Sequence, residues 1–109
     1  MTRAEVFQMV CEIGYPSAYH HFTNETAKAP PFVCFYYPGS NDFIADDHNY
    51  EKIEKLYIEL YTNEKDFAAE RAVEAVLRAN SLPYTRDETY LDTEKLYMQL
   101  YTTEVLIDE

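Results

Sequence analysis

Residues 54–64 read Glu-Lys-Leu-Tyr-Ile-Glu-Leu-Tyr-Thr-Asn-Glu, and residues 94–104 read Glu-Lys-Leu-Tyr-Met-Gln-Leu-Tyr-Thr-Thr-Glu. Eight of the eleven positions are identical across an offset of forty, and Tyr50 and Tyr90 precede the copies at the same distance. A short chain that writes one amphipathic segment twice is expected to use it twice in one structural role. Two periods fit the segment. As a helix, Ile53, Leu56, Tyr57, Leu60 and Tyr61 share a stripe. As a strand, Leu56, Ile58 and Leu60 share one face, with Lys55, Tyr57, Glu59 and Tyr61 on the other. Tyr, Ile and Thr favour the strand. The second copy also runs on into Thr102-Thr103-Glu104-Val105-Leu106-Ile107, a strand-like extension. The strand reading sends Leu56-Ile58-Leu60 and Leu96-Met98-Leu100 into the core. It leaves Tyr57, Tyr61, Tyr97 and Tyr101 at matched positions on the opposite face. Tyrosine also simply fills β-surfaces, but a matched cluster of this kind is expected at a subunit contact. Whether the two copies are neighbours in a sheet is left open by the pattern.

The rest of the chain frames these strands. Thr2-x-x-Glu5 is a capping-box signature. Val6, Met9, Val10 and Ile13 recur at helical spacing behind it, predicting a helix over 3–13 with Gly14 and Pro16 as stop signals. Residues 15–31 read as a connector. Phe32-Val33-Cys34-Phe35-Tyr36-Tyr37 is a β-favouring run bracketed by prolines, the mark of an edge strand or strand start. Residues 38–49 carry loop signals. That loop includes Asp42, Phe43, Ile44 and Asp46, whose mixture of acid and apolar side chains fits a partner-facing segment. Asp66 is a good N-cap for a helix over Phe67–Ala79, with Ala69, Ala72, Val73, Val76 and Leu77 as its buried stripe. Pro83 to Tyr90 reads as a further strand, forming a hairpin with the second copy. The expected architecture is a single α+β domain spanning 1–109: an antiparallel sheet of about four strands with two helices on one face.

Charge narrows the function classes. Twenty acidic residues against nine basic give a net charge of −11. Such a surface repels phosphate backbones and anionic membranes, so neither nucleic acid nor membrane is an expected partner. No stretch approaches a membrane span, and Met-Thr-Arg-Ala-Glu lacks the apolar run of a signal peptide. Cys11 and Cys34 have no CxxC spacing and read as reduced thiols. His20 and His21 are adjacent, so along an extended chain they point to opposite faces, which disfavours metal ligation. The acids Asp42, Asp46 and Asp47 beside His48 lack the alternation and central Gly of a calcium loop. Two glycines leave no room for phosphate-cradling loops, and no carboxylate pair has the split environments of acid–base catalysis. No catalytic, cofactor or metal residue is expected, and the chain does not read as an enzyme.

One resemblance gathers these features. Ala29-Pro30-Pro31-Phe32 leads into an aromatic strand, followed by Asn41-x-Phe43-x-Ala45-Asp46 and Tyr50. Then come Glu59-Leu60-Tyr61-Thr62, Lys65-Asp66 before an acidic Ala-rich helix, and finally Tyr90, Glu94-Lys95 and Tyr101. Over roughly residues 29–104 this resembles the small tail-completion and head–tail joining proteins of tailed bacteriophages and prophages, including tail-terminator-like subunits. The resemblance implies a structural α+β subunit without cofactor. It implies a homo-oligomeric ring, of six chains for example, meeting head–tail connector or tail-tube proteins. It also implies residence in the bacterial host cytoplasm during assembly and then in the virion. A strongly acidic ring would favour passage of DNA over adhesion. The competing expectation from charge alone is a small acidic binding module, such as a DNA-mimic inhibitor of a nucleic-acid-binding host protein. Its acids, however, are interleaved with Lys52, Lys55, Lys65, Arg71, Arg78 and Lys95 rather than set in rows.

Overall fold

Helix α1 (Arg3–Cys11) begins where the capping box places it. Thr2 Oγ1 accepts from the Glu5 N–H at 3.1 Å, and Glu5 Oε1 accepts from the Thr2 N–H at 2.8 Å, so two otherwise orphaned donors are satisfied reciprocally. The helix buries Val6, Met9 and Val10, and the chain turns away at Gly14, whose φ of +100° is costly for any other residue. The computed structural model describes residues 1–21, 29–45 and 48–108, with the backbone alone for 43–45 and 48–51.

Among the described residues seven strands follow: β1 (Ser17–Tyr19), β2 (Phe32–Tyr36), β3 (Phe43–Ala45), β4 (His48–Glu51), β5 (Ile53–Thr62), β6 (Thr85–Leu91) and β7 (Leu96–Leu106). Helix α2 (Phe67–Ala79) lies between β5 and β6. Five strands form one sheet in the order β1-β2-β5-β7-β6, and β3 pairs with β4 in a separate two-stranded sheet. The α+β class with two helices is as the patterning implies. The sheet itself departs from the expected four antiparallel strands, because β1 adds a fifth that runs parallel to β2. Three residues are too few to display a period. Strand β1 is held by backbone bonds instead: Val33 N–H donates to Pro16 O at 2.8 Å and His20 N–H donates to Phe35 O at 2.7 Å. With β1 outside it, β2 is an interior strand rather than an edge. Its flanking prolines fall outside the five paired residues, so no ladder bond is lost. The expected loop at 38–49 holds the β3–β4 hairpin.

One hydrophobic cluster joins both helices to the sheet. It contains Val6, Met9 and Val10 of α1, Val33 and Phe35 of β2, Leu56, Ile58 and Leu60 of β5, Val73 and Leu77 of α2, and Tyr101 and Val105 of β7. Full burial of a Leu, Ile or Val side chain contributes about 1.5–3 kcal/mol, so this layer dominates stability. Asp66 caps α2 as expected, its Oδ1 accepting from the Ala69 N–H at 3.0 Å.

The two copies of the repeat are adjacent and antiparallel, with Leu56 opposite Thr103, Ile58 opposite Tyr101 and Leu60 opposite Gln99. Residues directly opposite share a face of the sheet. Even-numbered residues of β5 therefore face the helices, whereas in β7 the odd-numbered residues do. This overturns the expectation that Leu96, Met98 and Leu100 enter the core; they lie on the far face, and Tyr101 is fully buried instead. The reason lies beyond the copy. Val105 and Ile107 are buried while Glu104 and Leu106 are exposed, so the C-terminal extension fixes the parity of the whole strand. Packing the leucines inward would have buried Glu104.

Candidate assembly surface

The helix-facing side of β7 carries polar groups that need partners, and neighbouring elements supply them. Tyr101 Oη donates to Glu74 Oε2 of α2 at 2.8 Å. Burial and then the Glu74 carboxylate raise its phenol far above the ordinary tyrosine range, so it stays a donor. Gln99, 1 % exposed, accepts from Arg86 Nη1 and donates through Nε2 to Glu88 Oε1 at 2.7 Å. Lys65 closes the circuit, with Nζ 2.7 Å from Glu70 Oε2 and also bonded to Glu88. The hydrogen bond from Lys65, followed by that from Gln99, holds the Glu88 carboxyl below its usual value. With Arg86 Nε 3.9 Å from Glu70 Oε1, a neutral ring of two acids, two bases and an amide fastens the start of α2 over β6 and β7.

Among the described residues, both helices pack on that side, and none lies over the opposite face. Register places Phe32, Cys34 and Tyr36 of β2 beside Tyr61, Glu59 and Tyr57 of β5, and these beside Met98, Leu100 and Thr102 of β7. The aromatic rings pair across strands. Phe32 stacks on Tyr61 with centroids 4.9 Å apart, and Tyr36 meets Tyr57 edge-on at 5.4 Å. Such cross-strand aromatic pairs favour the sheet by about 0.5–1.5 kcal/mol beyond burial. Tyr61 Oη donates to Glu59 Oε1 at 2.9 Å, and burial, then Glu59, pushes its phenol well above the ordinary value. Burial also raises Tyr36, with Glu59 adding to it. These rings, Met98 and Leu100 are half-buried, and Cys34 is buried beneath them. At one end the surface dips into an open groove lined by Lys55, Tyr57, Thr85, Thr102 and Glu104. The face can bury apolar area and offer phenolic hydrogen bonds.

The four tyrosines expected on one surface are therefore divided. Tyr57 and Tyr61 lie on this open face. Tyr97 and Tyr101 lie on the helix side, Tyr101 in the core and Tyr97 half-buried against Tyr90, with ring centroids 4.9 Å apart. The structure gathers Phe32, Tyr36, Met98 and Leu100 around Tyr57 and Tyr61 instead. The signal for them was present in Phe32 and Tyr36 alternating with Val33 and Phe35, and in the buried parity of Val105 and Ile107. Of the loop residues, Asp42 is a latch, its Oδ1 accepting from the Ile53 N–H at 3.0 Å as β5 begins. Phe43 and Ile44 lie in β3, where only the backbone is described, and Asp46 lies outside the described residues.

Cys11 is exposed and Cys34 buried, and neither is in a disulfide. Among the described residues no three His, Cys, Asp or Glu side chains gather as a metal would require, and no helix is long and apolar enough to cross a membrane. No protein-family model matches this chain, and no curated protein matches it in sequence.

Proposed function

We propose that the chain is a structural assembly subunit, of the kind found in the tail-completion and head–tail joining apparatus of tailed phages. It contacts its neighbours through the open face of the five-stranded sheet. One observation carries this reading: Phe32, Tyr36, Tyr57, Tyr61, Met98 and Leu100 form a half-buried aromatic and apolar surface that no helix of the described residues covers. At a net charge of −11 the chain repels its own copies at long range. Association then depends on a local apolar patch, and Tyr-rich patches are typical anchors of protein interfaces. The proposed neighbours are further copies of the chain in a ring, together with phage connector or tail-tube proteins. The proposed setting is the bacterial cytoplasm during assembly and then the virion.

Solution mass measured across a concentration series, alone and with connector or tail-tube proteins, tests the proposal. Tyr57→Glu and Met98→Asp are expected to abolish association while leaving the circular dichroism of the folded monomer unchanged. A parent chain that stays monomeric at all concentrations and with every such component would sink it.

A further inference from the structure

Along an extended chain His20 and His21 would point apart; the structure brings them together. His20 follows the last residue of β1 and adopts φ +67°, a left-handed conformation that few residues other than glycine take up. This breaks the strand alternation and swings both imidazoles to the same side. The backbone on each is pinned: His20 N–H donates to Phe35 O at 2.7 Å and His21 N–H donates to Tyr19 O at 2.8 Å. The His20 ring is further braced edge-on by Tyr36, with centroids 5.0 Å apart. The two Nδ1 atoms face each other at 2.8 Å, and both side chains are exposed.

That separation has a chemical meaning. Two nitrogens each about 2.0 Å from one ion stand roughly 2.8 Å apart when they subtend a right angle, and roughly 3.3 Å apart at a tetrahedral angle. We infer that His20 and His21 form a two-nitrogen site for a divalent transition ion with right-angle coordination, Cu(II) or Ni(II), with water completing the shell. Without the ion, one Nδ1–H donates to the other Nδ1 lone pair. With it, both Nδ1 lone pairs bind the metal and each ring carries its proton on Nε2, so no proton need be lost. The acidic surface raises the local concentration of cations around the site.

Titration of the full chain with Cu(II) and with Ni(II) by calorimetry, joined to electron paramagnetic resonance of the copper form, tests the site. One ion per chain is expected, with nitrogen hyperfine structure from two imidazoles. His20→Asn, which still tolerates the left-handed backbone, and His21→Asn should each weaken binding about tenfold or more, whereas His48→Asn should not. Unchanged binding in both variants, a copper signal with oxygen ligands only, or loss on His48→Asn would each overturn the inference.

Discussion

Strands β5 and β7 carry nearly the same words and bury opposite sides of them. In β5 the Leu56-Ile58-Leu60 side packs under the helices and Tyr57 and Tyr61 face outward. In β7 the Gln99-Tyr101-Thr103 side packs under the helices, and Met98 and Leu100 face outward. Leu60 is fully buried while its counterpart Leu100 is half-exposed; Tyr101 is fully buried while its counterpart Tyr61 is half-exposed. A strand segment with apolar residues at both parities can serve either way. Its surroundings decide: a carboxylate at Glu74, an amide partnership with Arg86 and Glu88, and the alternation of Val105 and Ile107.

The largest test of this inversion pairs the tyrosines. Tyr101→Ala should cost about 3–5 kcal/mol by urea unfolding, since it opens a cavity and strands Glu74. Tyr61→Ala should cost only about 1–2 kcal/mol. Equal losses would mean that both copies present the same side. The leucines should show the reverse order. Leu60→Ala is expected to lose about 2–5 kcal/mol and Leu100→Ala about 1 kcal/mol, a contrast measurable in the same unfolding series. Gln99→Ala should lose about 1–3 kcal/mol by leaving Arg86 and Glu88 without their amide, whereas Glu59→Gln should stay within about 0.5 kcal/mol.

The smallest effect is expected in the alkaline range. The phenols of Tyr101 and Tyr61 are both raised in the fold, so the folded state retains protons that the unfolded chain gives up above about pH 10. Their contribution is complete below that pH and is lost as the pH rises toward the folded values. Unfolding free energies measured from neutral to strongly alkaline pH should therefore fall. Tyr101→Phe should flatten the fall more than Tyr61→Phe does.

Much of the scaffold was legible because its signals are local. The capping box of Thr2 and Glu5 placed α1, and Asp66 with an alanine-rich amphipathic run placed α2 at Phe67–Ala79. Period-two alternation placed β5 and β7. Part of what escaped was set by contacts distant in sequence. Three residues of β1 have no period of their own and become a strand only against β2. Phe43 and Ile44 looked out of place in a loop, but the hairpin that accommodates them in β3 was not read from the residues. The facing of β7 escaped for a different reason. Identity with β5 argued for identical orientation, and the contrary evidence lay just past the end of the repeat. Two of the six residues of the proposed surface, Tyr57 and Tyr61, were therefore legible. Placing Met98 and Leu100 there required knowing which neighbours satisfy Gln99 and Tyr101.

The tight turn over residues 92–95 between β6 and β7 bears on how the chain folds in time. Two almost interchangeable strands offer β6 a choice of partner, and a chain searching blindly could seat either copy beside it. Closing four residues costs about 1–1.5 kcal/mol less entropy than closing the loop that includes α2, and hairpins form within about 1–10 μs. The second copy is thus claimed by β6 before the first can compete for that place. The duplicated segment escapes kinetic ambiguity because one of its two copies is tied to its partner on a short leash.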